Sequence, residues 1–425
     1  MNHPTAENPD IPSFSTTPAP LQGVRILDLS RILAGPICTQ ILGDLGAEII
    51  KVESPQGDDT RTWGPPFHRK QSAYFISANR NKHSVVLNLN KPQSRTVLHD
   101  LLERSHALVH NFLGPSAEKF GITPSSLEEQ HPQVISCSIT GFGNTGPWKN
   151  RPGYDLIIQA LSGLMSITGH STQQPTKVGF AITDVITGLY AAISILSGLT
   201  GQLNNIATRQ NGTTDRQEGL HFDLSLFDCT TASLVNILQA FLITRNEPSP
   251  WGNAHPQIAP YESFITQDGI FVLAIGNDVQ WQRFCKAIQQ NSWALDPLFA
   301  TNPDRVQNRD QLIPRLQNTF LQRTTSDWID LLTKHAIPHA PVQSLTELTQ
   351  HPQFQARNMV SQSRTDSESG VPIINSPIRT NRTWQHDRKR IPPPPLGNDT
   401  ERVLTEICGY GQPQITTLRN LNVIA

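Results

Sequence analysis

Between Val24 and Val52 the chain writes a complete strand, helix and strand. Val24–Leu29 is a short apolar run, Pro36–Leu45 carries helical spacing, and Glu48–Val52 is a second apolar run. Two strands joined through a helix are read as a βαβ unit, and such a unit demands a parallel sheet covered by helices. Pro36 suits a first helical turn and Gly46 suits its C-terminal cap. Further strands are expected at Ser84–Leu89, Ala107–Asn111, Val134–Ile139 and Leu220–Leu224. Helices are expected at Gln93–Glu103, Asp155–Met165 and Val185–Gly198, with another running through Phe241. The polar, aperiodic stretch Leu203–Glu218 reads as a surface loop.

A chain of 425 residues exceeds one ordinary core, so a second unit is expected. Residues 245–339 supply it: a strand at Ile270–Ile275 and helices near Gln280, Gln311 and Ser326. The proline run before Pro395 marks an extended segment leading to a last helix at Thr400–Ile407.

The 34 basic and 35 acidic side chains nearly cancel, which gives no field favouring nucleic acid or an anionic membrane. Five cysteines without CxxC spacing argue against disulfides and zinc. Apolar stretches such as Leu189–Leu199 fall short of the roughly 18 residues of a membrane span. A soluble intracellular protein is expected, with residues 1–20 as a disordered tail that has neither the Arg-rich nor the apolar character of a targeting signal.

Several segments carry chemistry. The loop Ser30–Pro36 joins the first strand to the first helix, where backbone N–H groups can receive a phosphate. It has neither the GxGxxG nor the GxxxxGK[ST] pattern, which disfavours a nicotinamide enzyme or an NTPase. Gly57–Phe67 packs acids, Arg61 and Trp63 into a segment of little regular propensity, suited either to a cleft lining or to a solvated turn. Gly141–Pro147 allows close backbone approach. Asp155 and Asp184 each open a helix, and both read either as N-caps or as reactive carboxylates. At Asp184, burial among apolar and small residues raises the pKa while a helix N-terminus lowers it. Trp251–Pro256 is a loop with the composition of a lid.

Taken in order, Leu21–Glu53, Gly57–Phe67, Asn79–Lys82, Asn111–Phe112, Ser138–Pro147, Gly153–Asp155 and Thr183–Asp184 resemble the class III CoA-transferases, the formyl-CoA transferase family. The resemblance implies an α/β fold with a Rossmann-like large domain, a smaller α/β domain and an interlocked homodimer. On that plan residues 21–244 begin the large CoA-binding domain, residues 245–339 form the small one, and residues 340–425 return to complete the large one. It implies CoA transfer from an acyl-CoA such as succinyl-CoA to a short dicarboxylate such as glutarate or itaconate. No permanently bound cofactor and no metal are implied, only CoA thioesters as substrates.

Carried over by position, Asp184 is the nucleophile. CoA contacts fall on Leu33, Ala34, Leu87, Asn88, Leu89, Asn90, Asn111, Phe112, Leu113, Lys119, Gly153, Tyr154 and Asp155. Gly252, Asn253 and Ala254 form the substrate loop, and Arg31, Arg61 and Arg80 are the candidates for clamping a second carboxylate. The compartment is mitochondrial by resemblance or else cytoplasmic. The competing readings are an α-methylacyl-CoA racemase and a non-catalytic CoA-binding protein. Such racemases pair the aspartate with a histidine where this chain has Tyr154, and a phenol with a pKa of about 10 is a poor proton shuttle at neutral pH.

Overall fold

The computed structural model describes residues 17–208, 219–363, 370–379 and 391–425. It divides into two compact units: residues up to 162 with 179–238 and 358–425, and residues 163–178 with 239–357. These boundaries differ from those expected at 245 and 339, and a short piece, 163–178, leaves the first unit for the second.

In the first unit six strands form one parallel sheet. They are β1 (Arg25–Leu29), β2 (Glu48–Glu53), β3 (Lys82–Val86), β4 (Ala107–His110), β5 (Ile135–Thr140) and β6 (His221–Ser225). Their spatial order is β3-β2-β1-β4-β5-β6, parallel throughout. That is the doubly wound order of a Rossmann-type fold, and its switch point lies between β1 and β4, where neighbouring crossovers leave in opposite directions. The register pins Ile26 between Ile49 and Ala107. Strands buried on both faces need apolar residues at successive positions, which is why these runs were legible.

Helix α1 (Ala34–Asp44) connects β1 to β2, and α2 (Ala73–Ala78) precedes β3. Helix α3 (Ser94–Glu103) leads to β4, and α4 (Gly114–Phe120) follows it. Between β5 and β6 lie α5 (Asp155–Leu161) and α6 (Ile182–Thr208). The helix expected to run from Asp155 to Met165 stops early because Gly163 takes φ +85 and breaks it. The loop expected from Leu203 is helical as far as Thr208, since an established helix propagates through polar residues more readily than one nucleates; residues 209–218 of that expectation, and 1–16 of the tail, lie outside the described residues.

Ile182–Asn204 is long and apolar enough to cross a membrane by length and composition, which corrects the expectation that no segment reaches that length. Interspersed Gly, Ser and Thr had concealed it by breaking the apolar runs. In the fold Ala191, Ala192, Ile195 and Leu199 of this helix are buried in the core beside β4 and β5.

The chain completes the same unit with α7 (Thr400–Glu406) and α8 (Gln412–Asn420). Val403, Leu404, Ile415 and Val423 enter the core that holds Leu98 and Leu108. Asp399 accepts the Ser84 N–H at 3.0 Å and the Thr400 hydroxyl accepts the Val86 N–H at 3.0 Å, tying this segment to edge strand β3.

The second unit holds an antiparallel three-stranded sheet, His339–Pro341 beside Ile270–Ala274 beside Tyr261–Ile265. Its core gathers Phe264, Phe271, Trp281, Phe284, Phe320 and Trp328.

Candidate active site

Strands β1, β4 and β5 end side by side, and the residues just beyond them line a cavity of about 230 Å³. Arg31, Ile32 and Ala34 come from the β1 end, Asn111, Phe112 and Leu113 from the β4 end, and Thr140 and Gly141 from the β5 end. Gly153, Tyr154, Asp184 and Leu226 complete the wall. This is the crevice that an open parallel sheet offers to ligands, outside the carboxyl ends of its strands at the switch point.

Close backbone packing builds that wall. A Cβ on Gly141 would stand 2.6 Å from the Gly153 Cα, and the reverse substitution meets the same obstacle. The two glycines therefore let the segment before α5 lie against the end of β5, which delivers Tyr154 to the cavity. A Cβ on Gly188 would stand 2.7 Å from the Ala34 carbonyl oxygen, so α6 lies hard against the start of α1.

Asp184 is the third residue of α6, not its cap. The Ala34 backbone N–H lies close enough to its carboxylate to lower its pKa. Loss of solvent around the carboxylate, reinforced by the negative charge of Asp155, pushes its pKa up to about 7, against the lowering effect of that N–H. Burial and the Asp155 charge thus prevail over the Ala34 N–H. Asp155 does not cap its own helix, since Tyr154 occupies that position without a side-chain bond. Its Oδ1 accepts both the Thr183 N–H and the Thr183 hydroxyl at 2.9 Å, and its Oδ2 accepts Gln159 Nε2 at 2.7 Å. Tyr74 lies within the field of Asp184 and Asp155, and burial together with these charges raises its phenol to about 12.

Of the expected CoA contacts, Ala34, Asn111, Phe112, Leu113, Gly153 and Tyr154 share this cavity with Asp184. Leu33 precedes Ala34 as the N-cap residue of α1. The Leu87–Asn90 segment follows β3 instead: Leu87 is buried in the core, Asn88 donates to Val423 O at 2.8 Å, and Asn90 Oδ1 accepts Lys119 Nζ at 2.8 Å. Lys119 stands beside the Phe120 ring, which packs edge-on against Phe112 at 5.0 Å.

Of the three candidate arginines, Arg31 lines the cavity, where it pairs with Asp59 at 3.0 Å. Arg61 pairs with Glu53 at 2.6 Å and lies over the Phe75 ring, while Arg80 is buried in a pair with Asp44. Gly252, Asn253 and Ala254 belong to the second unit. There the Gly252 N–H donates to Gly169 O at 2.7 Å, and Asn253 Nδ2 donates to Ser263 Oγ at 3.0 Å.

The sequence reading did not single out Thr140 or Leu226, nor Ile32 individually. Thr140 closes β5, so the rule that ligands gather at carboxyl ends of parallel strands would have found it. A second cavity of about 380 Å³ was also not expected; His110, Ser136, Ser138, His221 and Asp223 line it with Lys149.

The profile of CoA-transferase family III matches residues 21–400. The chain is 37% identical over 406 residues to the mouse succinyl-CoA:glutarate CoA-transferase, covering 95% of this chain and 90% of that one. It is likewise 37% identical over 396 residues to the succinate–glutarate CoA-transferase of Agrobacterium fabrum, covering 91% and 96%. The crystal structure of a CAIB/BAIF family protein from Brucella suis superimposes with a TM-score of 0.77 at 36% identity, over 92% of this chain and all of that one. A doubly wound sheet with a carboxylate at its switch-point cavity, matched from residue 21 to residue 400 by one profile, makes this chain an enzyme of CoA-transferase family III.

Proposed function

We propose that the enzyme moves CoA from succinyl-CoA to a short dicarboxylate of the glutarate kind, itaconate among the acceptors to be tested, with Asp184 as the covalent carrier. The observation that carries this reading is Asp184 itself: a desolvated carboxylate facing the switch-point cavity with the Ala34 N–H on it. The names of the mouse and Agrobacterium relatives support the acid pair.

In this reading the ionised Asp184 attacks the thioester carbonyl of the donor. The carbon–sulfur bond breaks, leaving a mixed anhydride and a CoA thiolate. The thiolate then attacks the aspartyl carbonyl, the anhydride oxygen leaves with the donor acid, and an aspartyl-CoA thioester remains. The acceptor carboxylate runs the same two steps in reverse, so acyl activation is conserved and no nucleotide is consumed. The Ala34 N–H is placed to stabilise the oxyanion that develops on the aspartyl carbonyl.

CoA would thread past Leu33, Ala34, Asn111–Leu113 and Gly153–Asp155, with Lys119 beside Leu87–Asn90 receiving phosphate as a point charge. Arg31 would exchange its partner Asp59 for the distal carboxylate of the acid. A homodimer fits the exposed apolar face of α6, where Leu189, Tyr190 and Ile193 are uncovered in the single chain.

The test is a screen of purified enzyme with succinyl-CoA against mono- and dicarboxylates, joined to hydroxylamine trapping and mass spectrometry of the peptide containing residue 184. Turnover with dicarboxylates and a hydroxamate on Asp184 are expected. Turnover without any adduct on that peptide would remove Asp184 as carrier.

A further inference from the structure

Beneath the cavity runs a line of buried charge that the chemistry above does not use. Lys51 and Asp58 are paired at 2.9 Å with side chains 0% and 1% exposed. Each sends a second bond into the same loop: Lys51 Nζ donates to Ser30 O at 2.8 Å, and Asp58 Oδ1 accepts the Ile32 N–H at 3.3 Å. Asp58 is itself fixed by Thr60, whose N–H and hydroxyl donate to it at 3.0 and 2.8 Å, and its own N–H donates to Glu53.

The loop so held is strained. Ile32 takes φ +71, a left-handed conformation that β-branched residues almost never adopt. Such strain persists only where the surroundings over-determine it, and it gathers at working sites. The surroundings here do so: Asp28 Oδ1 accepts the Ser30 N–H at 2.9 Å, and Asn111 exchanges two bonds with the Arg31 backbone at 3.2 and 2.8 Å. Two residues beyond Ile32 comes Ala34, the donor to Asp184.

We propose that the buried Lys51–Asp58 pair is a positioning device for the transfer reaction: it locks the Ser30–Ala34 loop in its strained form, so that the Ala34 N–H meets the Asp184 carboxylate. This rests on the reading of Asp184 as nucleophile, but it can fail separately. Without the pair the left-handed turn relaxes, Ala34 withdraws, and Asp184 loses the N–H that opposes its desolvation. The other charged and titratable groups around Asp184 stay in place: Asp155 on α5, Tyr74 on α2, and Arg31 and Tyr154 across the cavity.

The decisive variant is the double substitution Lys51→Met with Asp58→Leu, which also removes the acceptor for the Ile32 N–H. It deletes one charge of each sign, so the field at Asp184 is nearly unchanged and no lone buried charge remains. With folding confirmed by circular dichroism and melting, kcat for transfer should fall ~10- to 100-fold while KM for the acyl-CoA stays within about twofold. The carboxyl titration of Asp184, followed by 13C-edited infrared spectroscopy and assigned with Asp184→Asn, should move upward by about one pH unit. Asp58→Leu alone is the reserve if the double variant does not fold. Its lost negative charge would by itself lower the Asp184 pKa, so an upward movement there also reports displacement of Ala34. A folded variant whose Asp184 titrates as in the parent, or whose loss lies in KM alone, overturns the proposal. Undiminished turnover by Asp184→Asn would sink the nucleophile reading and leave the titration result standing as the test of positioning.

Discussion

Asp155 holds Thr183 by both its amide and its hydroxyl at 2.9 Å, and Thr183 is the residue immediately before Asp184. One carboxylate thus fixes the first turn of the helix that presents the other, and its charge raises the pKa of the residue it positions. Asp155→Asn separates the two effects, because an amide oxygen still accepts from Thr183 but carries no charge. The acid limb of kcat against pH, set by ionisation of Asp184 at about 7, should therefore move to lower pH in Asp155→Asn. A profile measured with a saturating donor checks this, and a limb that stays or rises would assign the raised pKa to burial alone.

Asp184→Asn should reduce transfer by at least ~10³-fold, since a neutral amide cannot form the anhydride. It should also change stability in a pH-dependent way. The folded pKa of about 7 lies above the ordinary 3.8, so the native state binds the extra proton between these values and loses stability as pH rises through 7. The asparagine variant escapes that loss. Melting temperatures of parent and variant should agree near pH 4 and differ by on the order of a few degrees at pH 8, with the variant higher.

What could be read in advance divides along physical lines. Strands β1, β2, β4 and β5 were visible as apolar runs because parallel strands bury both faces. Their order was not visible, because it depends on which way each crossover turns. The Asp184 environment was legible as a conflict between desolvation and helix terminus, but its outcome needed the neighbours: Asp155 lies 29 positions earlier in the chain and meets α6 only through tertiary packing. Ile32 gave no signal at all, since nothing in an isoleucine announces a left-handed backbone. The arginines show the limit from the other side: Arg61 and Arg80 had the right chemistry for a carboxylate clamp, but the fold supplies each with a carboxylate of its own.

Asp28 lies fully buried beside Lys82 at 3.1 Å and also accepts from Thr39 at 2.6 Å. Burial opposes its ionisation, but Lys82, Lys51 and these hydrogen bonds prevail and hold its pKa down to about 2. A carboxylate depressed in this way stabilises the fold above the ordinary 3.8 and loses that contribution as pH falls through its folded value. Asp28→Asn leaves Lys82 buried without its counter-charge and should cost ~3–5 kcal/mol. Adding Lys82→Met should recover part of that loss in urea unfolding at pH 7. Failure to recover would mean that Asp28 acts through Ser30 and Thr39 rather than through the ammonium.

The contact between α1 and α6 offers a test that touches no charged group. Gly188 faces Ala34 so closely that a Cβ would stand 2.7 Å from its carbonyl oxygen and 3.0 Å from Ile37 Cγ2. Backbone cannot yield as a side-chain tip does, so Gly188→Ala must push the two helices apart locally. A mid-helix alanine is otherwise favoured over glycine by about 1 kcal/mol, and an open site would therefore gain stability. Here the overlap should reverse that sign, with a net loss of ~1–3 kcal/mol. Because the displaced residue is the one whose N–H meets Asp184, kcat should fall by about tenfold or more while KM for the acyl-CoA changes little. Unfolding curves and steady-state kinetics on one preparation check both halves. A variant that is stabilised and fully active would show that the Ala34 segment moves freely, and would remove the contact on which the geometry of the nucleophile depends.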